Sequence, residues 1–180
     1  MPRRADGSVD GDKMPRFFSE LDNDCILYEW RFNLRTGQTR ERVLDDIHNT
    51  EFPVINSWHQ GHPTRYTWNL VMGRNRRPEE PRFSGLARYD LSQGRCQTYH
   101  EGPDAWWSEA PFAPSDAARA EDDGYLVGFM WDGQRQASFV TVFDARDIGQ
   151  GPVARLRVPQ RVPNGFHATW VSAARLARGY

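Results

Sequence analysis

An all-β fold built from repeated units is what this sequence predicts, on three observations. Alternating, β-branched and aromatic runs dominate the chain beyond about residue 15. Glycine turns recur between such runs: Gly37, Gly94 and Gly151 stand 57 residues apart in both intervals (37 to 94, 94 to 151). Glu51, Glu109 and His167 keep nearly the same step, 58 residues in both intervals (51 to 109, 109 to 167). A common step that delivers one polar residue per unit, with an aromatic and a proline close by, points to a repeat architecture. In a propeller each unit can aim one residue at a shared axis. Two carboxylates and an imidazole converging there would suit a metal ion.

Residues 1–15 read as a disordered or truncated N-terminal end, and residues 16–180 as propeller blades. The run Ile26–Leu34 leads through Arg35-Thr36-Gly37 to Val43-Leu44, a hairpin. Tyr66–Met72 is a strand, and the charged, proline-rich stretch Arg74–Pro81 is a loop whose arginines form a solvated turn. Leu86–Leu91 turns at Ser92-Gln93-Gly94 into Gln97-Thr98-Tyr99. Tyr125–Trp131 is entered from Glu121-Asp122-Asp123-Gly124, read as a solvated hairpin turn, and left through Asp132-Gly133. Phe139–Asp144 turns at Gly149-Gln150-Gly151 into Val153–Val158. Helix is confined to short turns at Ser115–Ala120 and Val171–Ala177. A four-stranded blade takes about 40–50 residues, so three steps of this length nearly exhaust the chain. Three blades make an arc with two raw edges, whereas closed propellers use four to eight. The sequence therefore reads as a partial β-propeller, about three blades of a larger ring.

Composition narrows the partners. The chain has 180 residues, 24 acidic and 23 basic, for a net charge of −1. That balance supplies no field to attract nucleic acid or anionic lipid. Aromatic residues make up 13% of the chain, which suits sheets. Cys25 and Cys96 form neither a CxxC nor a zinc spacing and read as two buried thiols in a reducing compartment. The polar N-terminus has no signal-peptide core, and no run approaches the roughly 18 apolar residues of a membrane span. A cytoplasmic location follows as an expectation, with peripheral membrane contact as its variant.

Several segments carry a family resemblance. Thr50-Glu51-Phe52-Pro53, Ser108-Glu109-Ala110-Pro111-Phe112, Ala120–Val127 and Pro152–Pro159 resemble the C-terminal portion of the carotenoid cleavage oxygenases. Arg161-Val162-Pro163-Asn164-Gly165-Phe166-His167-Ala168-Thr169-Trp170-Val171 resembles the motif that closes them. Bacterial members close to lignostilbene dioxygenases look nearest. The resemblance implies a seven-bladed propeller with Fe(2+) on its axis, held by four histidines that glutamates orient. It puts the last metal ligand at His167 and two of the orienting glutamates at Glu51 and Glu109. The remaining three histidines and one glutamate of the family pattern would lie upstream of residue 1, in missing N-terminal blades needed for a closed ring. The implied reaction adds both atoms of dioxygen across one carbon–carbon double bond of a carotenoid, apocarotenoid or stilbene, giving two carbonyl products. The isolated chain is then expected to be inactive. The alternative is a propeller fragment or binding module without a full iron site.

The residue types suit that chemistry. Neutral imidazole suits iron, and a carboxylate on its second nitrogen fixes the tautomer and raises its basicity. Each position also has a plain reading. His167 can be a core histidine bonded to a carbonyl, Glu51 an exposed strand end, and Glu109 a partner for a loop amide. Phe112, Phe166 and Trp106 either line an apolar tunnel for the substrate or pack in the core. The pair His59 and His62 is broken by Gly61 and Pro63, which forbid an aligning helix. His48 and His100 match no ligand motif. No serine sits in a nucleophile elbow, so a hydrolase has no support. A calcium-dependent propeller hydrolase would want clustered acids on the axis, which His167 fits poorly.

Overall fold

In a computed structural model the described residues are 2–13, 24–72, 82–163 and 165–178. The expected arginine-rich loop from Arg74 to Pro81 lies outside them. Eleven strands carry the described fold, with short 3-10 turns and one four-residue helix, α1 (Ala173–Leu176), where the sequence predicts a short terminal helix. The turn expected over Ser115–Ala120 is a hydrogen-bonded turn and not a helix, closed by the Ala118 amide on the Ser115 carbonyl.

The first hairpin, β1 (Leu27–Phe32) with β2 (Thr39–Asp45), is a sheet of its own. The other nine strands form one sheet, antiparallel throughout. They are β3 (Thr50–Val54), β4 (Tyr66–Met72), β5 (Phe83–Asp90), β6 (Arg95–His100), β7 (Ala105–Trp107), β8 (Phe112–Pro114), β9 (Gly124–Asp132), β10 (Ala137–Asp144) and β11 (Ala154–Arg157). Its main path runs β11-β10-β9-β7-β5-β4-β3, with β6 branching from β5 and β8 from β9.

Period-two patterning sorts the side chains. On one face of β4 and β5, Trp68, Leu70 and Leu86 enter the main core, where Trp107, Leu126, Met130 and Phe143 join them. The opposite face carries Val71, Ala87 and Tyr89, against which Leu27, Leu91 and Cys96 pack in a smaller cluster. Trp68 and Trp107 are each 1% exposed. Burial of a large apolar side chain is worth about 1.5–3 kcal/mol, so each contributes on that order, less for Trp107, whose buried indole N–H has no hydrogen-bond partner among the described residues. Trp68 also donates its indole N–H to the Ala145 carbonyl at 2.9 Å, which satisfies its polar atom.

The acidic run before β9 differs from its expectation as a solvated turn. Both oxygens of Glu121 accept the Arg65 amide, and one also accepts that of Tyr66. Asp122 is buried and accepts from the Arg88 guanidinium at 2.7 Å. The run is a strut between β4, β5 and β9, because strand-end amides and a buried arginine need carboxylate partners. Neither cysteine is in a disulfide, in keeping with expectation, but both are half-buried where full burial is expected.

Candidate metal centre

Glu109 owes its position to a break in pairing. β7 pairs with the C-terminal half of β9 and β8 with its N-terminal half, and residues 108–111 bridge the two. Ser108 keeps contact with β9 by exchanging bonds with Phe129 through its amide and hydroxyl. Gly128 lies opposite. A Cβ there would come 3.0 Å from the Ala110 Cβ and 3.3 Å from the Glu109 carbonyl, so the glycine lets this irregular stretch lie close. Irregular pairing of this kind re-aims a side chain.

Glu51 sits at a second irregularity. The β3–β4 register shifts between Glu51 and Val54, and Phe52 takes a φ of +52°. A bulky residue in that region is held there by its surroundings, and such strain concentrates at functional sites. Phe52 packs against Phe83 at 5.2 Å, Phe166 at 6.2 Å and the His167 ring at 5.1 Å, the last two edge-on.

The sequence-predicted residues are thus partly united. Oε2 of Glu109 lies 3.4 Å from Nδ1 of His167 and accepts the Ala168 amide at 2.6 Å. Glu109 is buried, whereas the His167 side chain is 80% exposed. His167 is therefore not a buried core histidine; it is a surface imidazole held from one side. Glu51 reaches the group only through its neighbour Phe52. Its own Oε1 accepts the Cys25 thiol at 2.9 Å and its Oε2 the Phe52 amide at 3.3 Å. Phe166 joins the Phe52–His167 cluster. Phe112 lies in the main core stacked on Trp68 at 4.8 Å, and Trp106 lies beneath the Arg82 guanidinium at 3.6 Å.

Two participants escaped the sequence reading, Phe52 and the Ala168 amide. No sequence signal marks Phe52, because the proline after it favours extended backbone and not the positive φ that Phe52 takes. A backbone amide carries no signal at all.

A sheet that repeats its hairpins, with a carboxylate beside an imidazole at the break between β7 and β8, fits a partial β-propeller. Cobalt-substituted Synechocystis ACO shares the fold, with a TM-score of 0.76 at 20% identity over 96% of this chain and 35% of that one. An ACO/RPE65 chimera gives 0.73 at 20% identity, over 86% and 32%. The family model RPE65, retinal pigment epithelial membrane protein, matches residues 2–172, and the chain belongs to that family. Its curated relatives include carotenoid 9,10(9',10')-cleavage dioxygenase 1 of Pisum sativum, 31% identical over 94% of this chain and 32% of the relative. A carotenoid cleavage oxygenase of Mycobacterium tuberculosis is 33% identical over 83% and 30%. The chain spans about a third of the length of the curated relatives it matches. Among the described residues no helix is long and apolar enough to cross a membrane.

Proposed function

We propose that this chain supplies part of a non-haem iron dioxygenase that splits one double bond of a carotenoid, apocarotenoid or stilbene into two carbonyl products. The observation that carries the reading is the Glu109–His167 approach, made by residues that the family motifs single out. The donor chemistry fits ferrous iron: an imidazole whose Nδ1 side faces a carboxylate leaves Nε2 as the coordinating nitrogen. When bound, the ion would activate dioxygen, and both oxygen atoms would end in the products.

The chain's own residues supply positioning. Glu109 holds the Nδ1 side of His167 and the backbone after it, favouring the tautomer with the proton on Nδ1. Phe52 sets its ring against one side of the imidazole and Phe166 packs on Phe52, apolar surface that suits an apolar substrate. Glu51 fixes the strained turn that presents Phe52. The exposed His167 ring is open to further donors from chain outside these residues, and four histidines are the family's set. On this reading the 180 residues alone retain little iron and turn over no substrate.

The experiment is a complementation. The chain is fused to the part of Synechocystis apocarotenoid oxygenase that it does not match. The fusion is then assayed for retained iron and for label from ¹⁸O₂ in the carbonyl products. Retained iron and doubly labelled products that vanish together in His167→Ala support the proposal. A fusion that keeps both with His167→Ala sinks it. An inert fusion that folds and holds no iron favours the second reading, a binding module without catalysis.

A further inference from the structure

On the sheet face opposite the main core, three metal-binding side chains of different types meet. Asp45 ends β2, His48 follows in the β2–β3 connection, and Cys96 lies on β6. One ligand atom from each falls within 4.8 Å of the other two. All three line one cavity of about 330 Å³, together with Tyr89 and Leu27. No motif in the sequence marks this group. His48 matches no ligand motif, and Cys96 lies 48 positions further along (48 to 96), a spacing no zinc signature uses.

Asp45 is held in place before any ion arrives. Its Oδ1 accepts the Ile47 and His48 amides, and its Oδ2 accepts the Tyr89 hydroxyl at 2.8 Å and faces His48 Nδ1 at 2.7 Å. Burial opposes its ionisation, but the bonds from Tyr89 and His48 outweigh it, and the carboxyl lies below its usual range. Burial pushes the Cys96 thiol up to about 11. A free thiol there stays protonated near neutrality and is a poor nucleophile, which argues against a thiol–imidazole catalytic role. A metal ion reverses that preference, because a coordinating thiol gives up its proton.

We propose that Asp45, His48 and Cys96 bind a divalent zinc-class ion, with the cavity supplying water as a fourth ligand. A thiolate, an imidazole and a carboxylate form a donor set that zinc accepts and calcium or magnesium does not. Binding exchanges the Cys96 thiol proton for the metal, with one proton released and no change of oxidation state.

The placement gives the site a structural purpose. The β1–β2 hairpin is hydrogen-bonded as a sheet of its own, and an isolated two-stranded hairpin is marginal in water. It carries Trp30 and Phe32 exposed. Asp45 and His48 lie where this hairpin leaves for β3, whereas Cys96 belongs to the large sheet. One ion bridging them clips the hairpin to the sheet. This site is independent of the iron reading, since it shares no residue with Glu109 and His167.

The test uses the full 180-residue chain, stripped with chelator and titrated with Co²⁺ and then Zn²⁺. The expected result is one equivalent of Co²⁺ with a thiolate-to-cobalt charge-transfer band that Zn²⁺ bleaches. One proton is released per ion, and amide exchange slows across residues 27–45. Cys96→Ser should remove the band, and His48→Gln should weaken Zn²⁺ binding by more than the 10–100-fold that a supporting partner's loss costs. His167→Ala should leave all of this unchanged. Far-UV circular dichroism confirms that each variant is folded. No band in the folded wild-type chain overturns the proposal and leaves Tyr89, Asp45 and His48 as a plain hydrogen-bond network. A band that persists in Cys96→Ser, or disappears in His167→Ala, overturns it equally.

Discussion

Glu109 Oε2 and His167 Nδ1 lie 3.4 Å apart, and the same oxygen holds the next residue's amide more tightly, at 2.6 Å from Ala168 N. The carboxylate thus fastens the backbone first and the imidazole second. It is an anchor for the C-terminal segment whether or not an ion is present.

That anchor is measurable. Glu109→Ala leaves the Ala168 amide without its charged acceptor, a bond of about 1.5–3 kcal/mol. Hydrogen exchange at Ala168 should accelerate accordingly in Glu109→Ala and less in Glu109→Gln, which keeps an oxygen acceptor. Equal exchange at Ala168 in all three proteins would remove Glu109 from its positioning role.

Arg88 is the second strut. Its guanidinium bonds the Ala145 carbonyl at 3.0 Å and Asp122 at 2.7 Å, and lies 4.4 Å over the Tyr66 ring. Both charged side chains are largely buried, 15% and 12% exposed. Removing one partner of such a pair leaves a charge without compensation, at about 3–5 kcal/mol. Arg88→Ala should lower denaturant stability by that order, and Arg88→Ala with Asp122→Asn by less than the two singles combined. Additive losses would show that the two groups act separately.

Asp90 gives the fold an acid limit. The Arg65 guanidinium, bonded through two nitrogens at 3.0 and 2.6 Å, holds the Asp90 carboxyl well below the usual carboxylate range. Burial opposes this, and bonds from Ser92 and the Gln93 amide add to it. A depressed folded value means that the unfolded chain takes up the proton first. The contribution is complete above the unfolded value near about 3.9 and fades as pH falls through the folded one. Stability of the wild type over Asp90→Asn should therefore be widest between about pH 5 and 7 and narrow below about pH 4. A difference independent of pH would assign the loss to packing.

Periodicity exposed the regular parts of the fold. Tyr66–Met72 is β4 residue for residue, and the three glycine-turn hairpins appear where their alternation ends. What escaped was set by tertiary contact. β7 and β8 are three residues each, too short for alternation to register, and exist because β9 offers them amides and carbonyls. The Glu121–Asp122 strut resembled any solvated acidic turn, because its partners Arg65 and Arg88 lie far away in sequence. At the candidate metal centre, spacing and motif brought Glu109 and His167 together. They did not reveal that Glu51 faces the Cys25 thiol, a contact made by the chain's entry into β1.

Gly85 is the position where a single methyl group should do most harm. It pairs with His100 across β5–β6, and a Cβ built there falls against the Tyr99 carbonyl oxygen, with His100 Nδ1 at 2.7 Å. A backbone oxygen in a ladder cannot swing aside, so the strands must part. Overpacking of a core by one methylene costs about 1–3 kcal/mol, and a rigid neighbour pushes Gly85→Ala to the top of that range or beyond. Gly128→Ala meets the Ala110 Cβ at 3.0 Å, where a shift of a few tenths of an ångström relieves the contact, so its cost should be smaller. Gly11→Ala meets open space and should be close to neutral. Denaturant midpoints of the three variants should fall in that order, Gly85→Ala lowest. A Gly85→Ala protein as stable as Gly11→Ala would mean that β6 is not held against β5 at the spacing described.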